Sequence, residues 1–450
     1  MNYNHPAYTN LVEKLSGIFG SSLKTIGDIA DVICGPFGTA ITNSDYTESG
    51  IPLLRITNIG KQGHLDYTDL KYITQECADS LSRTQVSQGD VVITQRGTLG
   101  QCAVVDNRYN VCNISANLIA VKNISEVNAE FVRNYILSPI GVALLQRMQS
   151  GQVQGKITTQ DISELPIPVV SDVNKLNSVI AAGYATFSEK LRQADDVVEQ
   201  SKDAMFAELG VDFPELKPQT YIYSRLGDIR SGEIFCNKNV GFAEKLFDLL
   251  RESKHYVGEL KGFINVNPRT DVSTLTDNSV ITFIPMPAVE AKNNQVEYAT
   301  EEYRRVKTGY TVFKRGDLLW AKITPCMQNG KSCLVTGLPT EIGFGSTEFH
   351  IMRAKSDKVY MPFIWALFSN EHVLQSAQAM FNGSAGQQRV TDRFLREFPL
   401  ILPELSVQKT LADKVFTALD TARALRAEAE TEWAAAKARF ERELLAGGDE

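Results

Sequence analysis

A chain of 450 residues with 43% hydrophobic content is long enough for two or three domains, each able to bury a core. A formal net charge of −7 and a pI near 5.5 exclude a uniformly basic nucleic-acid binder; they leave room for one only if acidic side chains sit on helices while basic ones line the globular parts. No run of about 20 apolar residues occurs, and residues 1–10 lack a charged start followed by an apolar stretch, so neither a membrane span nor a signal peptide is expected and the cytoplasm is the expected compartment.

In chain order, residues 7–20 form the first expected helix, with Leu11, Leu15 and Ile18 on one face. From Thr25, short β-like runs at 29–34, 51–56, 90–94, 102–105 and 117–121 are separated by glycine and asparagine turns. A helix over 130–148 follows, then Ile157 and Thr158, then Leu165-Pro-Ile-Pro-Val-Val170, which Pro166 and Pro168 keep extended. Ser171 or Asp172 can then cap a long helix over 172–209. In it Leu176, Ile180, Tyr184, Phe187, Leu191, Ala194, Val198, Met205 and Leu209 recur at spacings of three, four or seven, the mark of one buried stripe. Residues 210–255 read as a linker with a short helix at 240–253, and a second globular region is expected from 256. A second stripe of Leu411, Val415, Ala418, Ala422, Leu425, Ala429, Trp433, Ala436, Phe440 and Leu444 closes the chain. At about 1.5 Å per residue each long helix spans roughly 50 Å or more, which suits a strut better than a piece of one core.

The two halves repeat. An offset of 232 brings Gly151 onto Gly383, Phe131 onto Phe363 and Pro36 onto Pro268; Gly89-Asp90 meets Gly316-Asp317 at 227, and Ile157-Thr158 meets Val390-Thr391 at 233. The order strand block, helix, glycine turn, proline-extended exit, long helix therefore occurs twice, as after a duplication.

No catalytic centre accompanies either half. There is no phosphate-binding loop, nucleophile elbow, His-Glu-x-x-His or glycine-rich dinucleotide turn, and Asn267-Pro-Arg-Thr270 lacks the second proline and the aromatic residue of an amino-methyltransferase loop. The seven cysteines are never spaced as Cys-x-x-Cys and the five histidines lie far apart, so reduced thiols and no metal site are expected. What recurs is polar residues beside glycines. They are Arg55, Asn58, Gln95, Arg96, Thr98, Gln152, Gln154 and Lys156 in the first half; the second has Lys322, Thr324, Gln328, Asn329, Lys331, Glu348, Gln387, Gln388 and Arg389. Arginine and lysine match guanine O6 and N7, asparagine and glutamine match adenine N6 and N7, and glutamate accepts from cytosine, so such a set can read base edges. Glycine beside it allows close backbone approach to phosphates. Any one of these loops alone reads sooner as a solvated turn than as a base contact; the recurrence of 151–156 at 383–389 narrows that difference. Arg96, Gln154, Lys156, Lys322, Lys331 and Arg389 are the strongest candidates for base readout.

Several stretches together resemble the specificity subunits of type I restriction–modification systems. In the second half these are Phe283-Ile-Pro-Met-Pro287, Gly316-Asp-Leu-Leu-Trp-Ala-Lys-Ile-Thr-Pro-Cys326, Asn329-Gly-Lys331, Gly343-Phe-Gly-Ser-Thr-Glu-Phe-His350 and Gly386-Gln-Gln-Arg-Val390. In the first they are Ile51-Pro-Leu-Leu-Arg-Ile-Thr-Asn58, Gly89-Asp-Val-Val-Ile93 and Leu165-Pro-Ile-Pro168. The resemblance implies an α+β fold of two target recognition domains (1–170 and 256–404), separated by two long antiparallel helices (171–209 and 405–446) in a pseudo-two-fold repeat. The whole reads a bipartite double-stranded DNA target. It further implies a non-catalytic subunit that binds no cofactor and docks two modification subunits, where S-adenosylmethionine acts, and restriction subunits, where ATP and magnesium act. One departure is the glutamine of the exit: Gln408 follows Pro399-Leu-Ile-Leu-Pro-Glu404, whereas Val-Val-Ser-Asp follows Pro168 with none. Rival readings are a DNA methyltransferase with its own active site, a coiled-coil interaction protein without a DNA role, and the specificity subunit of a methyltransferase system lacking the motor.

Overall fold

A computed structural model describes residues 6–36, 40–96, 100–148, 156–213, 240–382 and 388–446. The architecture is α+β, and the chain divides into two compact units, Met1–Leu191 with Arg426–Glu450, and Arg192–Leu425. Each long helix, Val173–Glu208 and Leu405–Ala446, contributes residues to both.

In the first unit a four-stranded antiparallel sheet runs in the order Asp31–Cys34, Leu118–Lys122, Val91–Thr94, Cys102–Val104. A second sheet runs Tyr46–Thr47, Lys71–Ile73, Ile51–Leu54, Cys112–Ile114, Gln85–Val86, with Leu53 and Leu54 paired in parallel to Asn113 and Ile114. The second unit repeats the first sheet and, without the Tyr46–Thr47 edge strand, the second. Its antiparallel sheet is Ile264–Val266, Phe349–Ala354, Leu318–Ala321, Ser332–Leu334. Its mixed sheet is Ala299–Glu302, Val280–Ile284, Ile342–Gly345, Thr311–Lys314, again with one parallel pairing, Thr282 opposite Gly343.

The shared motifs now have physical reasons. Gly89 and Gly316 both adopt a φ of 89°, a left-handed turn that favours glycine. The aspartate that follows closes the turn: Asp90 accepts from Ser87 N at 2.9 Å and Asp317 from Lys314 N at 2.7 Å. The proline exits are strands Pro166–Pro168 and Pro399–Ile401. Each pairs with a single partner, Leu23–Thr25 and Val257–Glu259, so a missing N–H on the other edge costs nothing.

Three expectations need correction. Residue 29 ends a short helix, Ile26–Ile29, whose N-cap Thr25 is locked to Asp28 in a capping box, and the strand starts at Asp31. Residues 130–148 are two helices, Ala129–Leu137 and Pro139–Met148, because Ser138 turns extended (ψ 161°) ahead of a proline. The helix Val240–Arg251, assigned by sequence to the linker, packs Ala243, Leu246, Phe247 and Leu250 in the core of the second unit.

Much of the two stripes corresponds at an interval of 235: Leu176 with Leu411, Ile180 with Val415, Val198 with Trp433, Met205 with Phe440. All of these and Phe187 are buried, whereas Leu191 and Leu425 are half-buried. Within each unit the helices run antiparallel. In the first, Gly183 lies against Ala436, Tyr184 and Phe187 pack on Trp433 at 6.2 Å, and Lys190 pairs with Glu428. A Cβ on Gly183 would come within 2.3 Å of the Ala436 Cβ, so this crossing requires glycine. In the second unit Lys414 pairs with Glu208.

The missing glutamine is also explained. Gln408 is buried, accepts from Tyr360 N at 2.9 Å, and donates to Lys358 O and Pro403 O, clamping the start of its long helix to the helix Met361–Phe368. In the first unit Asn177 does this work: it donates to Asn128 Oδ1 and accepts from Asn134 Nδ2, both at 2.9 Å, and Asn128 caps the helix Ala129–Leu137.

A turn after Ile56–Asn58, closed by an Ile59–Leu65 bridge, stacks His64 on Tyr184 of the long helix with ring centroids 3.7 Å apart. Burial, with the Arg133 charge adding to it, pushes the His64 imidazole down from 6.5 to about 4. The neutral ring is the folded form, so its contribution is complete above pH 6.5 and is lost as pH falls towards 4, where the unfolded chain binds the proton more tightly. Discounted for partial exposure, the loss is about 1–2 kcal/mol. Urea unfolding at pH 7 and 4.5 should show that much less acid sensitivity in His64→Phe than in the unsubstituted protein; equal sensitivity would refute the assignment.

Candidate nucleic-acid interface

In the second unit the strand Leu318–Ala321 delivers Lys322 to a backbone junction. Lys322 N donates to Glu348 O at 2.9 Å, and Lys322 O accepts from Val390 N at 2.9 Å. Thr324 N donates to Gln388 O at 3.0 Å, and Ile323 forms a bridge with Arg389. Lys322, Thr324, Glu348, Gln388 and Arg389, spread over 68 positions of sequence, are thereby brought together. Arg389 Nε and Nη2 donate to Glu348 Oε2 and Oε1 at 2.9 and 2.8 Å. That pairing holds the Glu348 carboxyl below the usual range, with the Lys322 charge adding to it.

His350 lies beneath. Its Nε2 donates to Val390 O at 2.9 Å and its Nδ1 accepts from Asn267 Nδ2 at 3.1 Å, an assignment that requires the neutral ring; burial lowers its pKa accordingly. Asn267 also accepts from Ile351 N at 3.0 Å. The Asn267-Pro-Arg-Thr270 segment is thus a brace for the junction.

Lys331 donates from Nζ to Met286 O at 3.3 Å and holds the turn Met286–Ala288. Gln328 is half-buried and Asn329 exposed in the adjoining loop, which Asn329 N closes onto Pro325 O at 3.0 Å.

The first unit contains the same junction with different side chains. Gln95 N donates to Asn117 O at 2.9 Å and Gln95 O accepts from Ile157 N at 3.0 Å. Gln95 therefore corresponds to Lys322, Asn117 to Glu348, and Lys156 to Arg389. Arg96, Asn117 and Lys156 are exposed.

Two of the expected contacts are corrected. Gln95 is 2% exposed and its amide donates to Cys34 Sγ at 2.9 Å. Asn58 is 1% exposed, accepting from Arg55 N at 3.0 Å and donating to Asp66 O at 2.9 Å. Neither can reach a base while the unit keeps this packing. Arg55 is half-buried and bound through Nη2 to Asp69 O and Oδ2. Thr98, Gln152, Gln154 and Gln387 lie outside the described residues. Asn117, Asn267 and His350 were missed by sequence reasoning. Asn117 could have been found, since it stands 231 residues before Glu348, close to the offsets that relate the other pairs.

Residues 20–195 match the family model described as the type I restriction modification DNA specificity domain. The specificity subunit of the type I restriction enzyme EcoAI of Escherichia coli is 38% identical over 147 residues, covering 32% of this chain and 25% of that protein. The EcoEI counterpart of the same organism is 34% identical over 145 residues, covering 32% and 24%. The chain thus spans about a quarter of the length of the curated relatives it matches. Among solved structures, one described as underlying complex assembly and conformational transition of the type I R-M system aligns over 95% of this chain and 96% of its own at 14% identity, with a TM-score of 0.42. The S subunit from M. genitalium aligns over 95% of both chains at 11% identity, with a TM-score of 0.34. No helix among the described residues is long and apolar enough to cross a membrane.

Proposed function

We propose, from a type I restriction modification DNA specificity domain at residues 20–195, that this chain is the sequence-reading subunit of a type I restriction–modification complex, each half reading one part of a bipartite DNA target. The observation that carries this is the doubled junction. One backbone frame occurs in both units, Gln95–Asn117–Ile157 and Lys322–Glu348–Val390, while the side chains it presents differ. A constant frame with variable polar groups suits the reading of two different half-sites.

In this reading residues 1–170 and 256–404 are the target recognition domains, and the chain docks modification subunits that methylate adenine with S-adenosylmethionine. Restriction subunits with ATP and magnesium complete the assembly. The apolar stripes of the long helices are occupied within the units, so docking falls to the other faces of those helices. Positive charge supplied by the partners offsets the acidic balance of this chain.

Mapping methyladenine across a genome with and without this chain tests the reading. Loss of one two-part methylated sequence is the expected result; an unchanged methylation map overturns it.

A further inference from the structure

We propose that Asn117 reads an adenine in the half-site recognised by the first unit. The inference rests on the DNA-reading function proposed above and names one contact within it.

Asn117 stands on a backbone pinned by three neighbouring segments. Leu118 N donates to Ser115 O at 3.1 Å and closes the turn 115–118; Ser115 N donates to Leu54 O and the Asn117 carbonyl accepts from Gln95 N, both at 2.9 Å. Gly35 seals the remaining side: its N–H donates to Leu118 O at 2.9 Å, and a Cβ there would fall 2.1 Å from Ser115 O. The side chain is thus carried on a turn that cannot shift.

The turn itself does not call for asparagine. Left-handed backbone, the usual reason for that residue in a turn, occurs at Asn123, Asn267 and Asn294 but not at Asn117. The same turn in the second unit, where Phe349 N donates to Ser346 O and Ser346 N to Ile284 O, each at 3.3 Å, carries Glu348 at this position. There the side chain is engaged by Arg389. Asn117 is exposed, and among the described residues its amide makes no hydrogen bond. An amide held in this way matches adenine, with Oδ1 accepting from N6 and Nδ2 donating to N7. Arg96 follows Gln95 and Lys156 precedes Ile157, the residue that closes the frame, so two exposed cations stand at the same junction. Their charge attracts the phosphates of a duplex and adds affinity without selecting a base.

The test uses the complete assembly with its partner subunits and a randomised DNA library. With Asn117→Ala, and with Asn117→Asp, which keeps the acceptor and loses the donor to N7, discrimination for adenine at one position of the first half-site should fall about tenfold to a hundredfold. The second half-site should keep its preferences, and thermal unfolding should stay close to that of the unsubstituted protein. Asn117→Gln, with the same amide on a longer stem, should recover part of the preference. A first half-site without adenine, adenine preference unaltered in both Asn117→Ala and Asn117→Asp, or a loss in Asn117→Ala spread evenly over every sequence overturns the assignment. If the unsubstituted assembly selects no sequence at all, the reading function itself has failed.

Discussion

Replacing Arg353 by alanine is expected to destabilise the second unit by about 3–5 kcal/mol, the cost of leaving a buried charge without its partner. Asp317 is 1% exposed, and its two oxygens accept from Arg353 Nε and Nη2, each at 2.7 Å. Arg353 also reaches Thr270 Oγ1 at 2.9 Å and so ties the antiparallel sheet to the segment after Val266. Without the guanidinium, Asp317 keeps only the Lys314 N–H, too little to balance its desolvation. Hydrogen exchange of the strands Leu318–Ala321 and Phe349–Ala354 is the measurement, since it reads the second unit alone; protection within about 1 kcal/mol of the unsubstituted value would contradict the argument. The first unit has a looser version. Burial raises the Asp90 carboxyl, the Ser87 N–H and the Lys122 charge oppose it, and Lys122 Nζ is bonded to Gln85 O. Lys122→Ala should therefore cost clearly less than Arg353→Ala.

On the function proposed above, removing a heptad from both long helices, residues 188–194 and 425–431, is expected to shorten the gap between the two parts of the methylated sequence by about three base pairs. Seven residues of helix are about 10 Å, against roughly 3.4 Å per base pair. The pair of deletions keeps the apolar pattern in step: after Phe187 the next large stripe residue becomes Val198, and after Ala422 it becomes Trp433, each four positions on. Of the fully buried stripe residues only Ala194 and Ala429 are lost, together with the Lys190–Glu428 pair. A deletion from one helix alone would put the facing stripes out of register and should prevent assembly. Methylation mapping with the double deletion decides the matter. An unchanged gap in a fully assembled complex would mean that these helices do not set the spacing.

The features legible in the sequence were those written in long apolar periods or in proline and glycine. Both stripes, the proline exits and the Gly-Asp turns sit where such patterns put them. Strands of two or three residues, such as Tyr46–Thr47 and Gln85–Val86, are too short for an alternation to show, so the whole mixed sheet was largely invisible. The polar positions failed for a different reason. A glutamine reads the same whether its amide meets a base or a thiol, and the Gln95 partner, Cys34, is 61 residues away. Arg389 and Glu348 were both picked out, but their pairing across 41 residues was not. Composition likewise could not tell that Lys331 would hold the Met286 carbonyl.

The crossing at Gly183 makes the descendants of the duplication unequal. Its counterpart 235 residues on is Ala418, which is buried. Grafting the second helix into the place of the first would bring an alanine methyl to a spot that has no room for it, whereas the reverse graft would leave only a small void. Chimaeras built from the two halves should thus be tolerated in one direction of exchange and rejected in the other, although both donors are long helices of the same repeat.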